Sequence, residues 1–463
     1  MKLSFYGGVR MVTGANYLLE IGNPSTGSGQ TTKILIDCGL HQGSNYCEKH
    51  NWEPFPYKPS AIEAVFITHS HIDHIGRLPK LFRDGFRGTV YSTQPAKEFS
   101  KFLLLDSEHI LSQEAERFRK PPLYNIQDID GLMGHWQGVE YHEPVTVGPF
   151  IVTFYNAGHI LGSSFIEVKA RSDKGKEEKI VFSGDLGNSP APLIGPWELP
   201  PADTTYCLLE STYGDRIHEN LPARKEIIED LIEDAVKAGG VLLIPAFAME
   251  RTQELLYEIN DLAEHGRIPR VPIFLDSPLA IKLTEVYRKY DRYFVHDPSA
   301  PAKSDSAHLF KFPDLKMTLT TEESKKINEV PPPKVIIAGS GMSHGGRILH
   351  HEKRYLSDPK STLMVVGYQA TGSLGRQILD GAKSVKILGE EVPVRCKIKA
   401  IGGYSAHADQ GQLMKWISPV RLTMKKVFMV QGEEPASAAL AQRIIDELAV
   451  KAEIPKMGET VIL

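Results

Sequence analysis

Two rhythms of apolar and polar positions run along the chain. In the first part, short alternating or apolar runs are broken by turn residues, as strands and hairpins require. They read LSFYGG, ANYLLEIG, TKILIDCG, AIEAVFITH, EPVTVGPFIVTFYNAG, SSFIEVKA and EKIVFSGD. Gly, Ser and Pro in GNPSTGSGQ (22–30) predict a surface hairpin loop. HIGRLPKLFRDG and much of 95–135 read as helical.

The second part changes period. The amphipathic stretch ARKEIIEDLIEDAVKA predicts a long helix ending at Gly239–Gly240. Near-continuous apolar runs (VLLIPAF, VPIFLDSP, KVIIAGSG, STLMVVGY) then alternate with helical ones (ERTQELLYEINDLAEHG, LAIKLTEVYRKY, RILHHEKRYL). Strands apolar on both faces, spaced by helices, predict a parallel, doubly wound sheet. From about residue 395 short strands resume (RCKIKAIGGYS, KKVFMVQG), and a return to the first module would make the second an insertion. The pattern alone leaves that return open.

Composition narrows the class without naming a partner. The 463 residues suit two or three domains, and 41% hydrophobic with 24% charged residues is a globular balance. No apolar run reaches membrane-spanning length, and MKLSFYGG has no signal-peptide core, so a cytoplasmic protein is expected. The net charge of −4 argues against nonspecific coating of nucleic acid but leaves room for a local basic groove. Cys38, Cys47, Cys207 and Cys396 show no C-x-x-C spacing and read as packing residues rather than a disulfide framework.

The candidate chemistry lies in His69-Ser-His71-Ile-Asp73-His74, directly after an apolar strand. Residues two apart in an extended segment point the same way, so His69 and His71 can share one ion. Asp73 and His74, where the chain turns helical, can face a second. Imidazole and carboxylate together suit zinc or a similar borderline ion. His159 in NAGHILGSS and Asp185 in VFSGDLG are strand-end residues. Alone, each would more often be an ordinary hydrogen-bonded residue, but beside the cluster they become ligand candidates.

The ordered series ILIDCG, HSHIDH, GHILGS and SGDLG resembles the motifs of the metallo-β-lactamase superfamily. The resemblance implies His69, His71 and His159 on one zinc, Asp73 and His74 on a second, Asp185 between them, and Asp37 bracing the site from behind. CLLESTYGDR, GSGMSHGGRILHH, GYQATGSLGR and GGYSAHAD are similar to segments of the β-CASP nucleases, bacterial ribonucleases among them. That resemblance covers nearly the whole chain. It implies an αββα metallo-β-lactamase sandwich (1–214 and 395–463) with an inserted doubly wound β-CASP domain (215–394), and no KH-type extension is visible.

By the same resemblance Glu210 and His407 match acid and histidine motifs of the β-CASP family. His407, titratable near neutrality, could give a proton to the leaving oxygen, with Glu210 holding it protonated. With Asp73 and Asp37 these make up the expected catalytic set. The implied activity is a zinc-dependent ribonuclease cutting single-stranded RNA between its two domains, with metal-bound hydroxide attacking to leave 5′-phosphate and 3′-hydroxyl. RNA is the expected partner and no membrane is; a homodimer stays open, as does internal or end-wise cutting.

The glycine loop 339–346 could present N–H groups to a phosphate, with Ser340, Gly341 and Arg347 as RNA contacts, or exist for packing alone. His344 could touch RNA, whereas His350 and His351 read as packing or surface residues. One departure stands out: where the family carries a zinc-ligating histidine in V-H-G-E, this chain reads VFMVQGEE, with Gln431. An amide oxygen is a weak zinc ligand. Two Zn²⁺ are expected, the second weakly held, or else an RNA-binding scaffold whose catalysis has lapsed.

Overall fold

Period-two alternation builds the first unit as the sequence predicts. In the computed structural model, which describes residues 1–22, 31–43, 49–171, 177–218, 223–294, 310–367, 369, 372–401 and 405–463, two seven-stranded sheets form one core. In the strands Asn16–Gly22, Thr31–Ile36 and Ala64–Phe66, residues Tyr17, Leu19, Ile34, Ile36 and Phe66 face the second sheet. Their neighbours Leu18, Leu35 and Val65 face helices over the outside. The second sheet repeats the scheme. Ile166, Phe182, Leu208 and Phe428 point inward, while Phe165, Val181, Leu209 and Met429 meet the helices Gln410–Ile417 and Glu434–Leu448. The result is the αββα sandwich.

The chain returns to this sandwich after the insertion. Lys426–Val430 pairs in parallel with Tyr206–Glu210, itself parallel to Glu177–Phe182, and Thr460–Ile462 closes on Lys2–Gly7. Parallel neighbours end at the same edge, which brings Asp185, Glu210 and Gln431 to one rim of this sheet. Likewise, Thr31–Ile36 runs parallel to Ala64–Phe66, and the Asp37 N–H donates to the Phe66 carbonyl (2.9 Å). Ser164, whose N–H and hydroxyl both donate to the Thr68 carbonyl, ties the two sheets together beside that rim.

The second unit, 218–405, is built on a six-stranded all-parallel sheet, with a small antiparallel pair, Ser384–Ile387 and Glu390–Pro393, beside it in sequence. The order of the larger sheet is Leu315–Met317, Ile273–Asp276, Lys334–Ala338, Val241–Pro245, Thr362–Val366 and Lys397–Ile401. Helices Ala223–Ala238, Arg251–Glu264, Pro278–Lys289 and Ile348–Tyr355 alternate with the strands, and Gly239 (φ +64°) ends the first of them. The first sandwich segment runs to Ile217 rather than 214. The expected return at 395 also needs correction. Lys397–Ile401 pairs residue for residue with Thr362–Val366 as the edge strand of this sheet, so the chain re-enters the sandwich at Ala406. The loop expected at 22–30, Cys47, and parts of GYQATGSLGR and GGYSAHAD lie outside the described residues. Cys38, Cys207 and Cys396 are free and buried. Among the described residues, no helix is long and apolar enough to cross a membrane.

Candidate metal centre

Each expected ligand sits where a strand stops. His69 and His71 follow Ala64–Phe66, and His71 is the N-cap of the short helix Ile72–Ile75 that carries Asp73 and His74. A Cβ on Gly39 would stand 1.5 Å from the Asp73 carbonyl oxygen, so only glycine lets the ILIDCG strand end lie against the ligand loop. A Cβ on Gly187 would meet the Gly158 carbonyl oxygen at 1.6 Å, which packs the Asp185 loop on the His159 loop in the same way.

Four donor atoms converge. His69 Nε2 lies 3.0 Å from His71 Nδ1, and His159 Nε2 lies 3.3 Å from that same nitrogen. Asp185 Oδ2 is 3.4 Å from His69 Nε2 and 3.5 Å from His159 Nε2. A zinc ion bonded at ~2.0–2.1 Å in a tetrahedron sets its ligand atoms roughly 3.3 Å apart. The observed spacings, 3.0–3.5 Å, lie close to that edge length. Burial, reinforced by neighbouring imidazoles (His69 for His71, His407 for His159), holds both rings well below the usual imidazole range. They are therefore neutral and offer lone pairs. Asp185 is held well below the usual carboxylate range, because His74, His69 and His407 outweigh its burial. These four residues fit a divalent cation.

Outer groups fix which nitrogen faces in. His159 Nδ1 donates to the Ala406 carbonyl (3.1 Å), leaving Nε2 for the centre. Asp37 accepts from the Thr68 N–H, the Thr68 hydroxyl and His74 Nδ1, each at 2.8 Å. Thr68 Oγ1 can in turn accept from His69 Nδ1 at 3.1 Å. Asp37 thus spends its carboxylate on Thr68 and His74, and its φ of +58° is strain stored at the site. Sequence reasoning missed Thr68 and the Ala406 carbonyl. A threonine beside a motif and a backbone oxygen carry no local signal.

The second set is arranged differently. His74 Nε2 is 3.4 Å from Asp185 Oδ1 and 3.8 Å from Asp73 Oδ2. Gln431 Nε2 stands beside the first two, 2.9 Å from His74 Nε2 and 2.5 Å from Asp185 Oδ1.

Beside the centre, residues 406–408 run antiparallel to 186–188, through Asn188 N–H to Ala406 O and Ala408 N–H to Leu186 O. That pairing sets His407 Nδ1 3.2 Å from Glu210 Oε2 and 3.8 Å from Asp185 Oδ2. Burial alone would lower His407, but Glu210 first and then Asp185 raise it to about 9. It is therefore protonated at neutral pH, with its side chain 22% exposed. Glu210 is fully buried, its Oε1 accepting from the Leu186 N–H. The geometry is that of a proton donor held by a buried carboxylate.

The glycine loop of the second unit is spent on itself, which revises the phosphate cradle expected of it. Ser340 Oγ accepts from the N–H groups of His344 and Gly345, Ser343 N–H donates to Ser340 O, and Ser340 N–H donates to Gly345 O. Gly341 is buried, its carbonyl accepting from Gln369 Nε2. Arg347 donates to Asp276 and to the carbonyls of Thr318 and Leu319, so its guanidinium serves the fold rather than standing ready for RNA. His344 and His350 are exposed, whereas His351 is buried against Asp276 (2.7 Å).

Residues 28–186 match the metallo-beta-lactamase superfamily domain, 252–378 the Beta-Casp domain, and 391–455 the Zn-dependent metallo-hydrolase RNA specificity domain. The chain is 39% identical over 446 residues to Ribonuclease TTHA0252 of Thermus thermophilus, covering 96% of this chain and 95% of that protein. It is 30% identical over 479 residues to Transcription termination factor FttA of Methanosarcina mazei, covering 100% of this chain and 72% of the relative. A second such factor, from Methanocaldococcus jannaschii, is 30% identical over 448 residues, with 94% and 67% covered.

Proposed function

Since the chain belongs to the β-CASP family of the metallo-β-lactamase superfamily and is a metal-dependent hydrolase, we propose that it is a zinc-dependent ribonuclease acting on single-stranded RNA in the cytoplasm. The observation that carries this reading is the convergence of His69 Nε2, His71 Nδ1, His159 Nε2 and Asp185 Oδ2 beside the His407–Glu210 pair. A zinc ion in that set would lower the pKa of a water and polarise a phosphoryl oxygen.

The protein's own groups then have distinct tasks. Thr68 and the Ala406 carbonyl hold His69 and His159 in the tautomers that present lone pairs inward, while Asp37 anchors Thr68 and His74. Protonated His407 gives its proton to the oxygen leaving phosphorus, and Glu210 keeps it charged until then. If water replaces the 3′ oxygen at phosphorus, the products are a 5′-phosphate and a 3′-hydroxyl. A ribonuclease among the relatives supports RNA over other esters. At a second position His74 Nε2 lies 3.4 Å from Asp185 Oδ1 and 3.8 Å from Asp73 Oδ2, with the Gln431 amide beside them, and no step is assigned to an ion there.

The test is cleavage of end-labelled RNA by the zinc-loaded protein, with His69→Ala as control. Zinc-dependent cutting by the parent alone is expected, and its absence would overturn the reading. A second reading, an RNA-binding scaffold, is favoured by the amide of Gln431 among the ligands. It wins if RNA binds but neither the parent nor Gln431→His cuts it.

A further inference from the structure

The strand Tyr206–Glu210 stops at the carboxylate that holds His407, and the chain turns at once. The turn is fastened on both sides of its tip. Ser211 Oγ donates to the Val430 carbonyl (2.9 Å), and Thr212 Oγ1 donates to the Gln431 carbonyl (2.9 Å). Beyond the tip, the Gly214 N–H donates to the Ser211 carbonyl (3.1 Å), and the Gly214 carbonyl accepts from Gln410 Nε2 (2.7 Å). A Cβ on Gly214 would stand 2.5 Å from the Ala436 carbonyl oxygen, so the turn lies hard against the helix Glu434–Leu448.

Tyr213 is the residue this fixed turn displays. Its ring is half-buried, with its centroid 6.1 Å from that of His407 and the two rings inclined by 50°. The Arg216 guanidinium lies 5.6 Å from the centre of the tyrosine ring, and its charge is already matched by Asp215 (2.9 Å). The neighbour of His407 on this side is therefore an aromatic ring and not a free cation. Such a ring suits the face of a base better than it suits a phosphate, and an arginine alongside adds to the attraction.

We propose that Tyr213 is the stacking platform for the base of the nucleotide whose 3′ oxygen leaves. The inference rests on the proposed ribonuclease reading. There His407 gives its proton to that oxygen, so the ribose bearing it lies against the imidazole, and its base comes one sugar further on, beside Tyr213. Because every base has a π-face, the platform would hold RNA next to the proton donor with little regard to sequence.

A missing base tests this. Two RNAs are compared: one that the zinc-loaded parent cuts at a single mapped bond, and the same RNA with an abasic ribose just 5′ of that bond. The parent is expected to cut the intact RNA about tenfold better in kcat/KM. Tyr213→Leu is expected to lose about that factor on the intact RNA and nothing on the abasic one, so that the two rates converge, whereas Tyr213→Phe keeps the parent's preference. Equal losses on both RNAs would show that the ring only packs, and would overturn the inference. A Tyr213→Phe protein that loses the preference would overturn it too, since stacking needs the ring and not the hydroxyl. Should Tyr213→Leu fail to fold, equal cutting of the two RNAs by the parent would still refute the platform while leaving the ribonuclease reading intact. A parent that cuts no RNA at all would overturn both.

Discussion

Replacing Glu210 by glutamine isolates the proton-donor role of His407. The carboxylate accepts from His407 Nδ1 at 3.2 Å and is the largest influence raising that imidazole from 6.5 to about 9. A group whose folded pKa is raised is charged below that value and loses its proton as pH climbs through it, so the parent's activity should fall on the alkaline side. If Glu210→Gln returned His407 fully to 6.5, the protonated fraction at pH 8 would drop roughly thirtyfold, against a change of less than about twofold at pH 6. Thirtyfold is the ceiling, because Asp185 also raises His407 and its influence survives the substitution. Initial rates of RNA cleavage between pH 6 and pH 9, at saturating zinc, read the effect. The account expects a deficit that widens with pH. An equal loss at every pH would show that Glu210 does not act through the proton on His407, and the proposed pairing would fail.

Other perturbations separate the brace, the close approach and the second unit. Asp37→Asn puts an amide where three donors point, and losing bonds that orient ligating side chains weakens metal binding by about 10- to 100-fold. Competition with a chelating dye would measure it, and unchanged affinity would contradict the brace. Gly39→Ala forces a Cβ to within 1.5 Å of the Asp73 carbonyl oxygen, so denaturant unfolding should show a loss of ~1–3 kcal/mol together with poorer zinc retention. In the second unit, burial would raise Asp276, but bonds from His351, Thr318, Ser324 and Arg347 hold it well below the usual carboxylate range. Its stabilisation is therefore present above roughly pH 4 and lost as pH falls further. Asp276→Asn should cost about 3–5 kcal/mol at neutral pH and flatten that acid dependence, as urea titrations at pH 3 and pH 7 would report.

Much of the candidate site was legible because most of its candidate ligands are local. HSHIDH places four side chains within six residues, and strand-end patterns around His159 and Asp185 supplied the rest. The sandwich was legible through its alternation: Ile34 and Ile36 face one way and Leu35 the other. What stayed hidden depends on partners distant in sequence. Lys397–Ile401 has the same short-strand pattern whether it pairs with the sandwich or with Thr362–Val366, and only the pairing moves the boundary from 395 to 406. Arg347 looked available because nothing near it in sequence announces Asp276, 71 residues away. For Gln431 the residue type gave a weak ligand, and only the positive φ and the contacts with His74 and Asp185 bring its amide beside them.

X-ray absorption at the zinc edge on the loaded protein tests the central claim most directly. The account predicts zinc in a shell of nitrogen and oxygen at ~2.0–2.1 Å, with the outer scattering of imidazole rings, lost in His69→Ala. A shell containing sulfur near ~2.3 Å, or zinc that binds as well without His69, would contradict the convergence of these side chains on a cation.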